Sequence, residues 1–353
     1  MSRFWSQVVR DLKPYVPGEQ PQDMQYIKLN TNENPYPPSP RVLSRIKEMT
    51  DENLRRYPDP EGIELRDAIA AYHGLKRQNV FIGNGSDEIL ALSFYTFFKQ
   101  TLPLLFSDIT YSFYDVYCNF FGIPYEQIPL SEDFRIVPED YLKPNGGIIL
   151  ANPNALTGRL LELDQIEILL QQNIETAVLV DEAYIDFGGQ SAIALIRRYP
   201  NLLVVHTFSK SRSLAGLRVG YAVGDSRLIE GLDRTKNSFN SYPLDRLALA
   251  GACAAIKDEA YFRMTCQKVI ETRDQVVNAL AQLDFEVLPS RANFICIRHR
   301  NARAADLYRQ LKDNGILVRY FTAPRVDNFL RITIGTDAEM HSLTRSLKAI
   351  LGV

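Results

Sequence analysis

Lys210 stands between two hydroxyls, Ser209 and Ser211, and Arg218 follows eight residues later, in the stretch T-F-S-K-S-R-S-L-A-G-L-R-V-G from Thr207 to Gly220. An apolar, β-branched run, Leu202-Leu203-Val204-Val205, precedes it, and a second apolar segment, Val219 to Val223, follows. A lysine just past a buried strand end can be held in a partly desolvated site. There its pKa falls, and its neutral amine can form a Schiff base with an aldehyde. The serine hydroxyls and the planar fork of Arg218 are the donors that an anchored phosphate takes. An aldehyde and a phosphate on one molecule describe pyridoxal phosphate.

A serine-flanked lysine is by itself usually a solvated loop residue, so its company has to decide. Asp181 directly follows Ala177-Val178-Leu179-Val180, where an unpaired charge is costly. A cationic pyridinium nitrogen would pair it and keep the cofactor an electron sink. Tyr184 could donate a hydrogen bond to the ring's phenolate oxygen. Gly85-Ser86-Asp87 open a helix directly after Val80-Phe81-Ile82. Free backbone N–H groups there make an anion site, and glycine lets a phosphate approach the chain closely. The same residues also read as an ordinary helix cap. Tyr111, a few residues past another strand, either offers its ring as a stacking face or packs in the core.

The elements that must carry these residues alternate. From Val80 to Val223 short apolar runs of strand length take turns with helical patterns. This argues for an α/β fold with a mostly parallel sheet covered by helices on both faces. In such sheets ligands bind outside the carboxyl ends of the strands, and Gly85-Ser86, Asn154, Asp181 and Lys210 all lie just past expected strand ends. Residues 1–30 read as an N-terminal arm broken by Pro14, Pro17, Gly18 and Pro21, with a helix over Arg3 to Leu12. Residues 31–240 read as a large cofactor-binding domain, and 241–353, where helices and four strands mix, as a smaller α+β domain.

Bulk properties exclude other classes. Hydrophobic content of 46% and charged content of 23% suit a soluble globular protein, and a formal charge of −2 gives no general attraction to nucleic acid or an anionic membrane. The opening M-S-R-F-W-S-Q-V-V-R has no signal-peptide pattern, no apolar stretch approaches membrane-spanning length, and the four scattered cysteines lack metal-site spacing. A cytoplasmic protein with reduced thiols and no metal is expected.

In order and spacing, G-N-G-S-D-E, P-N-A-L-T-G, V-D-E-A-Y-I-D-F and T-F-S-K-S-R-S-L-A-G-L-R-V-G-Y together resemble the fold-type I pyridoxal-phosphate aminotransferases, and among them the histidinol-phosphate aminotransferases. The resemblance runs from L-K-P-Y-V-P-G, through L-N-T-N-E-N-P-Y and R-R-Y-P-D-P, to L-R-I-T-I-G, nearly the whole chain. It implies Lys210 as the cofactor-bearing lysine and proton shuttle, Asp181 on the pyridine nitrogen and Tyr184 on the ring oxygen. Gly85, Ser86, Asp87, Ser209 and Arg218 would surround the phosphate, and Tyr111 would stack on the ring. Arg331 would bind the substrate's anionic group, with Arg319, Tyr15 and Asn32 beside it. Tyr57 of R-R-Y-P would reach the partner subunit's site, which implies a homodimer. The implied reaction passes the amino group of histidinol phosphate to 2-oxoglutarate, giving imidazole acetol phosphate and glutamate in histidine biosynthesis.

One position departs from the family's usual P-N-N-P-T-G. The asparagine before the second proline contacts the ring oxygen there, but this chain has Ala155 and then Leu156. Either Asn154 shifts to supply the contact or Tyr184 supplies it alone. Rival expectations are an aromatic amino-acid aminotransferase, a threonine-phosphate decarboxylase of similar fold, and, more distantly, a non-catalytic cofactor-binding module of a regulator.

Overall fold

A computed structural model describes residues 2–15, 18–21 and 23–353. Val16 and Pro17 of L-K-P-Y-V-P-G therefore lie outside the described residues. The arm carries a short helix α1 (Gln7–Asp11) and a two-residue strand β1 (Ile27–Lys28). Ser39 accepts from Val42 N, and Pro40 occupies the first turn, so α2 (Pro40–Glu48) starts where local chemistry says it should. Helix α3 (Ile63–Tyr72) follows.

The alternating region then delivers β2 (Val80–Asn84), α4 (Gly85–Phe97), β3 (Leu104–Ser107), α5 (Tyr114–Phe121), β4 (Tyr125–Ile128), β5 (Gly147–Ala151), α6 (Leu163–Gln172), β6 (Val178–Asp181), β7 (Leu202–Thr207) and β8 (Val219–Gly224). These strands form one sheet in the order β2-β8-β7-β6-β5-β3-β4. The run from β7 to β4 is parallel, whereas β8 lies antiparallel to both β7 and β2. Residues on successive positions serve opposite faces: Val178, Val180 and Val204 join one apolar cluster, and Leu179, Leu203 and Val205 the other. That two-sided burial is why these strands read as unbroken apolar runs.

Helices α7 (Ser226–Phe239), α8 (Arg246–Lys257) and α9 (Glu259–Ala281) come next. Ala248, Ala252 and Cys253 of α8 share a core with Val42 and Leu65 of α2 and α3. The expected division at 240 thus falls ahead of a helix that packs with the large sheet. Beyond it lie β9 (Phe285–Val287), β10 (Phe294–His299), α10 (Ala304–Asp313), β11 (Ile316–Leu317), β12 (Arg319–Tyr320), β13 (Leu330–Thr333) and α11 (Asp337–Leu351), which starts at a capping box of Thr336 and Glu339. The small sheet is antiparallel, ordered β12-β13-β10-β9. Strand β1 pairs in parallel with β11, and Thr333 N donates to Leu29 O. The chain around residue 30 is thereby sewn to the small sheet before it enters the large one.

Candidate active site

Carboxyl ends of the large sheet's strands open on one cavity of about 600 Å³, and the arm and the small sheet close it from the other side. Asp181, the last residue of β6, is 5% exposed and lines it. Tyr114 donates its hydroxyl to Asp181 Oδ2 at 3.0 Å, and Ala183 N donates to Oδ1 at 3.3 Å. Burial nevertheless pushes the carboxyl up to about 6, the two hydrogen bonds opposing it. Lys210 lies beyond the end of β7, half-buried, with Nζ 3.2 Å from Thr31 O and 5.7 Å from the centre of the Tyr184 ring. Tyr184 packs edge-on to Phe294, and its hydroxyl accepts from Asn32 Nδ2 at 3.0 Å.

The helix start at α4 is shaped by two glycines. Gly85 has φ +74°, and a Cβ there would stand 2.7 Å from Arg218 Nη2. A Cβ on Gly220 would meet Ser86 N at 2.6 Å. The β2–α4 turn can thus lie against β8, with Ser86 and Asp87 at the start of α4 lining the cavity beside Ser209. Arg218 takes left-handed backbone angles, φ 53°, and bonds Asp87 Oδ2 at 2.8 Å, while Tyr111 donates to Asp87 Oδ1 at 2.9 Å.

On the small-domain side, Arg331 sends Nη1 to Ala155 O and Nη2 to Asn30 O, both at 3.2 Å, and its buried Nε has no partner among the described residues. Arg319 lies directly opposite it in the β12–β13 ladder, and both line the cavity. Burial, with the repulsion of Arg319, holds the Arg331 guanidinium below its ordinary pKa. Tyr15 also lines the cavity, its ring 4.7 Å from that of Phe113. Asn32 is buried with φ 56°, held by Thr333 Oγ1 on its N–H and by Asn293 Nδ2 on its carbonyl.

Two expected residues are placed elsewhere. Asn154 points away from the cavity: its Nδ2 donates to Ile109 O at 2.8 Å, and its Oδ1 accepts from Leu156 N and Thr157 N at 3.0 Å. Its amide is used up in shaping its own loop, so it does not replace the missing ring-oxygen asparagine. Ala155 faces the cavity instead. Tyr57 is 80% exposed and stacks on Tyr242 at 4.7 Å, remote from its own chain's cavity. Tyr114, at the start of α5 and bonded to Asp181, is a site residue that no motif points to, because its role depends on where α5 packs against β6.

Residues 24–347 match the aminotransferase class I and II family. The chain belongs to that family. Within it, the chain is 59% identical over 351 residues to histidinol-phosphate aminotransferase 1 of Hydrogenovibrio crunogenus, with 99% of each chain covered. It is 57% identical to histidinol-phosphate aminotransferase 1 of Pseudomonas aeruginosa, covering 98% of this chain and 99% of that one. Its fold is that of the histidinol-phosphate aminotransferase of Sinorhizobium meliloti, solved in complex with pyridoxal-5'-phosphate, at TM-score 0.89 and 24% identity, covering 100% of this chain and 98% of that one.

Proposed function

We propose that this chain is a pyridoxal-phosphate-dependent transaminase that passes the amino group of histidinol phosphate to 2-oxoglutarate, yielding imidazole acetol phosphate and glutamate in histidine biosynthesis. The observation that carries this reading is the Arg319–Arg331 pair facing the same cavity as Lys210 and Asp181. Like charges directly opposite in a ladder destabilise it, and an anionic substrate offsets the repulsion. Both amino donors are anions at the end that a bidentate guanidinium grips.

The site fits the cofactor. Burial pushes the Asp181 carboxyl up, and a protonated pyridine nitrogen would supply a cation to pair it. The Gly85–Ser86 turn, Ser209 and Arg218 would hold the phosphate. Tyr111 offers its ring as a stacking face. When bound, pyridoxal phosphate supplies an electron sink that lets an amine's α-proton leave. Lys210 Nζ carries that proton, and the carbonyl of Thr31 orients the amine. Tyr184, fixed by Asn32, supplies the ring-oxygen contact without help from position 155.

Residues 31–240 with α8 form the large domain in this reading, and the remaining C-terminal residues together with the arm from β1 form the small one. A homodimer in the cytoplasm completes it, with Tyr57 serving the neighbouring site. Among the described residues no helix is long and apolar enough to cross a membrane. The test is the amino-donor half-reaction of the cofactor-loaded protein. Histidinol phosphate should exceed both phenylalanine and threonine phosphate in kcat/KM by at least tenfold. Equal turnover of phenylalanine, or carbon dioxide release from threonine phosphate, would replace this reading with a rival.

A further inference from the structure

Behind the 153–159 loop, on the side away from the candidate active site, lies a second cavity of about 560 Å³. Arg135 and Arg159 reach it from the large-sheet side, Arg273 from α9, and Arg291 from the turn before β10. Its lining carboxylates are Glu162 and Asp274, so four guanidinium groups meet two acids. Asp274 is engaged by Arg273 at 3.2 Å, and the nearby Asp133 by Arg135 at 2.6 Å, leaving Arg159 at 3.7 Å from it. Arg159 Nε is buried without a hydrogen-bond partner, and the Arg291 guanidinium forms no hydrogen bond or ion pair among the described residues. Arg273 is 2% exposed, with Nη1 spent on Phe187 O and Ala292 O. Its Nη2 and Arg291 Nη1 each stand 3.9 Å from the point where a Cβ on Gly188 would be.

We infer that this cavity is a second anion site, distinct from the catalytic one, that takes a small, multiply charged phosphate compound. Planar forks with unspent N–H groups match phosphate oxygens two at a time, and with Asp133 included four guanidinium groups still face three carboxylates, an excess that an added anion neutralises. The site also has a route to the catalytic cavity. Arg291 N donates to Gly158 O at 2.9 Å, and the loop it touches presents Ala155 O to Arg331 on its far side. An anion bridging Arg159 and Arg291 ties the small-sheet side of the molecule to this loop. This inference does not rest on the transamination reading.

The test uses the cofactor-loaded protein and inorganic pyrophosphate, titrated calorimetrically. Arg291 is exposed, so Arg291→Ala leaves the core intact, and Arg159→Gln serves as the second variant. Each should weaken one binding event at least tenfold, while Arg331→Lys, which alters the catalytic cavity, retains that event. Unchanged titrations in Arg291→Ala and Arg159→Gln would overturn the inference. So would a pyrophosphate site that disappears in Arg331→Lys alone, because the probe would then occupy the catalytic cavity only.

Discussion

Replacing Asp181 with asparagine should have opposite effects on the cofactor-free and cofactor-loaded protein. The carboxyl is raised from 3.8 to about 6 by burial. That rise is worth about 3 kcal/mol, at about 1.4 kcal/mol per tenfold change in proton affinity. The native state therefore holds this proton more tightly than the unfolded chain does. The stability it contributes is fully present below about pH 4 and is lost as pH rises through about 6. At pH 8 the cofactor-free protein buries a charge that an asparagine would not; the asparagine's one amide oxygen accepts from Ala183 N and its NH2 donates to the Tyr114 hydroxyl oxygen, in place of the bonds to Oδ1 and Oδ2. Cofactor-free Asp181→Asn should resist urea better than wild type at pH 8, by up to about 3 kcal/mol, and the gain should shrink steadily towards pH 4. With pyridoxal phosphate bound the sign reverses. A hydrogen bond to a charged group is lost, about 1.5–3 kcal/mol, so the cofactor should be held roughly ten- to 150-fold more weakly. Far-ultraviolet circular dichroism suits the unfolding, because the single tryptophan, Trp5, sits half-exposed in the arm. Equilibrium dialysis reads the cofactor. A cofactor-free variant no more stable than wild type at pH 8, or one that keeps pyridoxal phosphate equally tightly, would refute the electrostatic reasoning.

Lys210→Ala should lose essentially all turnover, together with the visible absorption that borohydride abolishes; substantial catalysis without added amine would unseat Lys210. Arg331→Lys keeps the charge but loses the fork, and should weaken both amino donors by about 1–3 kcal/mol in steady-state kinetics. Arg319→Ala should penalise histidinol phosphate more than glutamate, since the phosphate has acceptor oxygens to spare for a second donor; equal losses would mean the arginines do not divide the work. Mixed dimers of inactive Tyr57→Ala and Lys210→Ala subunits should regain activity, and well-folded mixtures that stay inactive would place Tyr57 in the service of its own chain.

Short-range chemistry made much of this protein legible from its residues in order. Apolar runs of strand length followed at once by Asp181, by Ser209 and Lys210, and by Gly85-Ser86 announce strand ends that converge, because a sheet buried on both faces leaves its polar residues at its carboxyl edge. Helix starts such as those of α2 and α11 are written in their caps. What depends on register and on distant partners was decided only in three dimensions. Nothing local states that β8 runs antiparallel beside β7, or that Arg319 lands opposite Arg331. Nor does it state that residues 27–32 are stitched to β11 and Thr333, bringing Asn32 to the Tyr184 hydroxyl. Asn154 shows the same limit from the other side. Its type and position fit the missing ring contact, but the backbone groups of its own loop and of Ile109 claim its amide first. A side chain's hydrogen bonds go to the groups that packing brings within 3 Å or so, and packing is set by the whole chain.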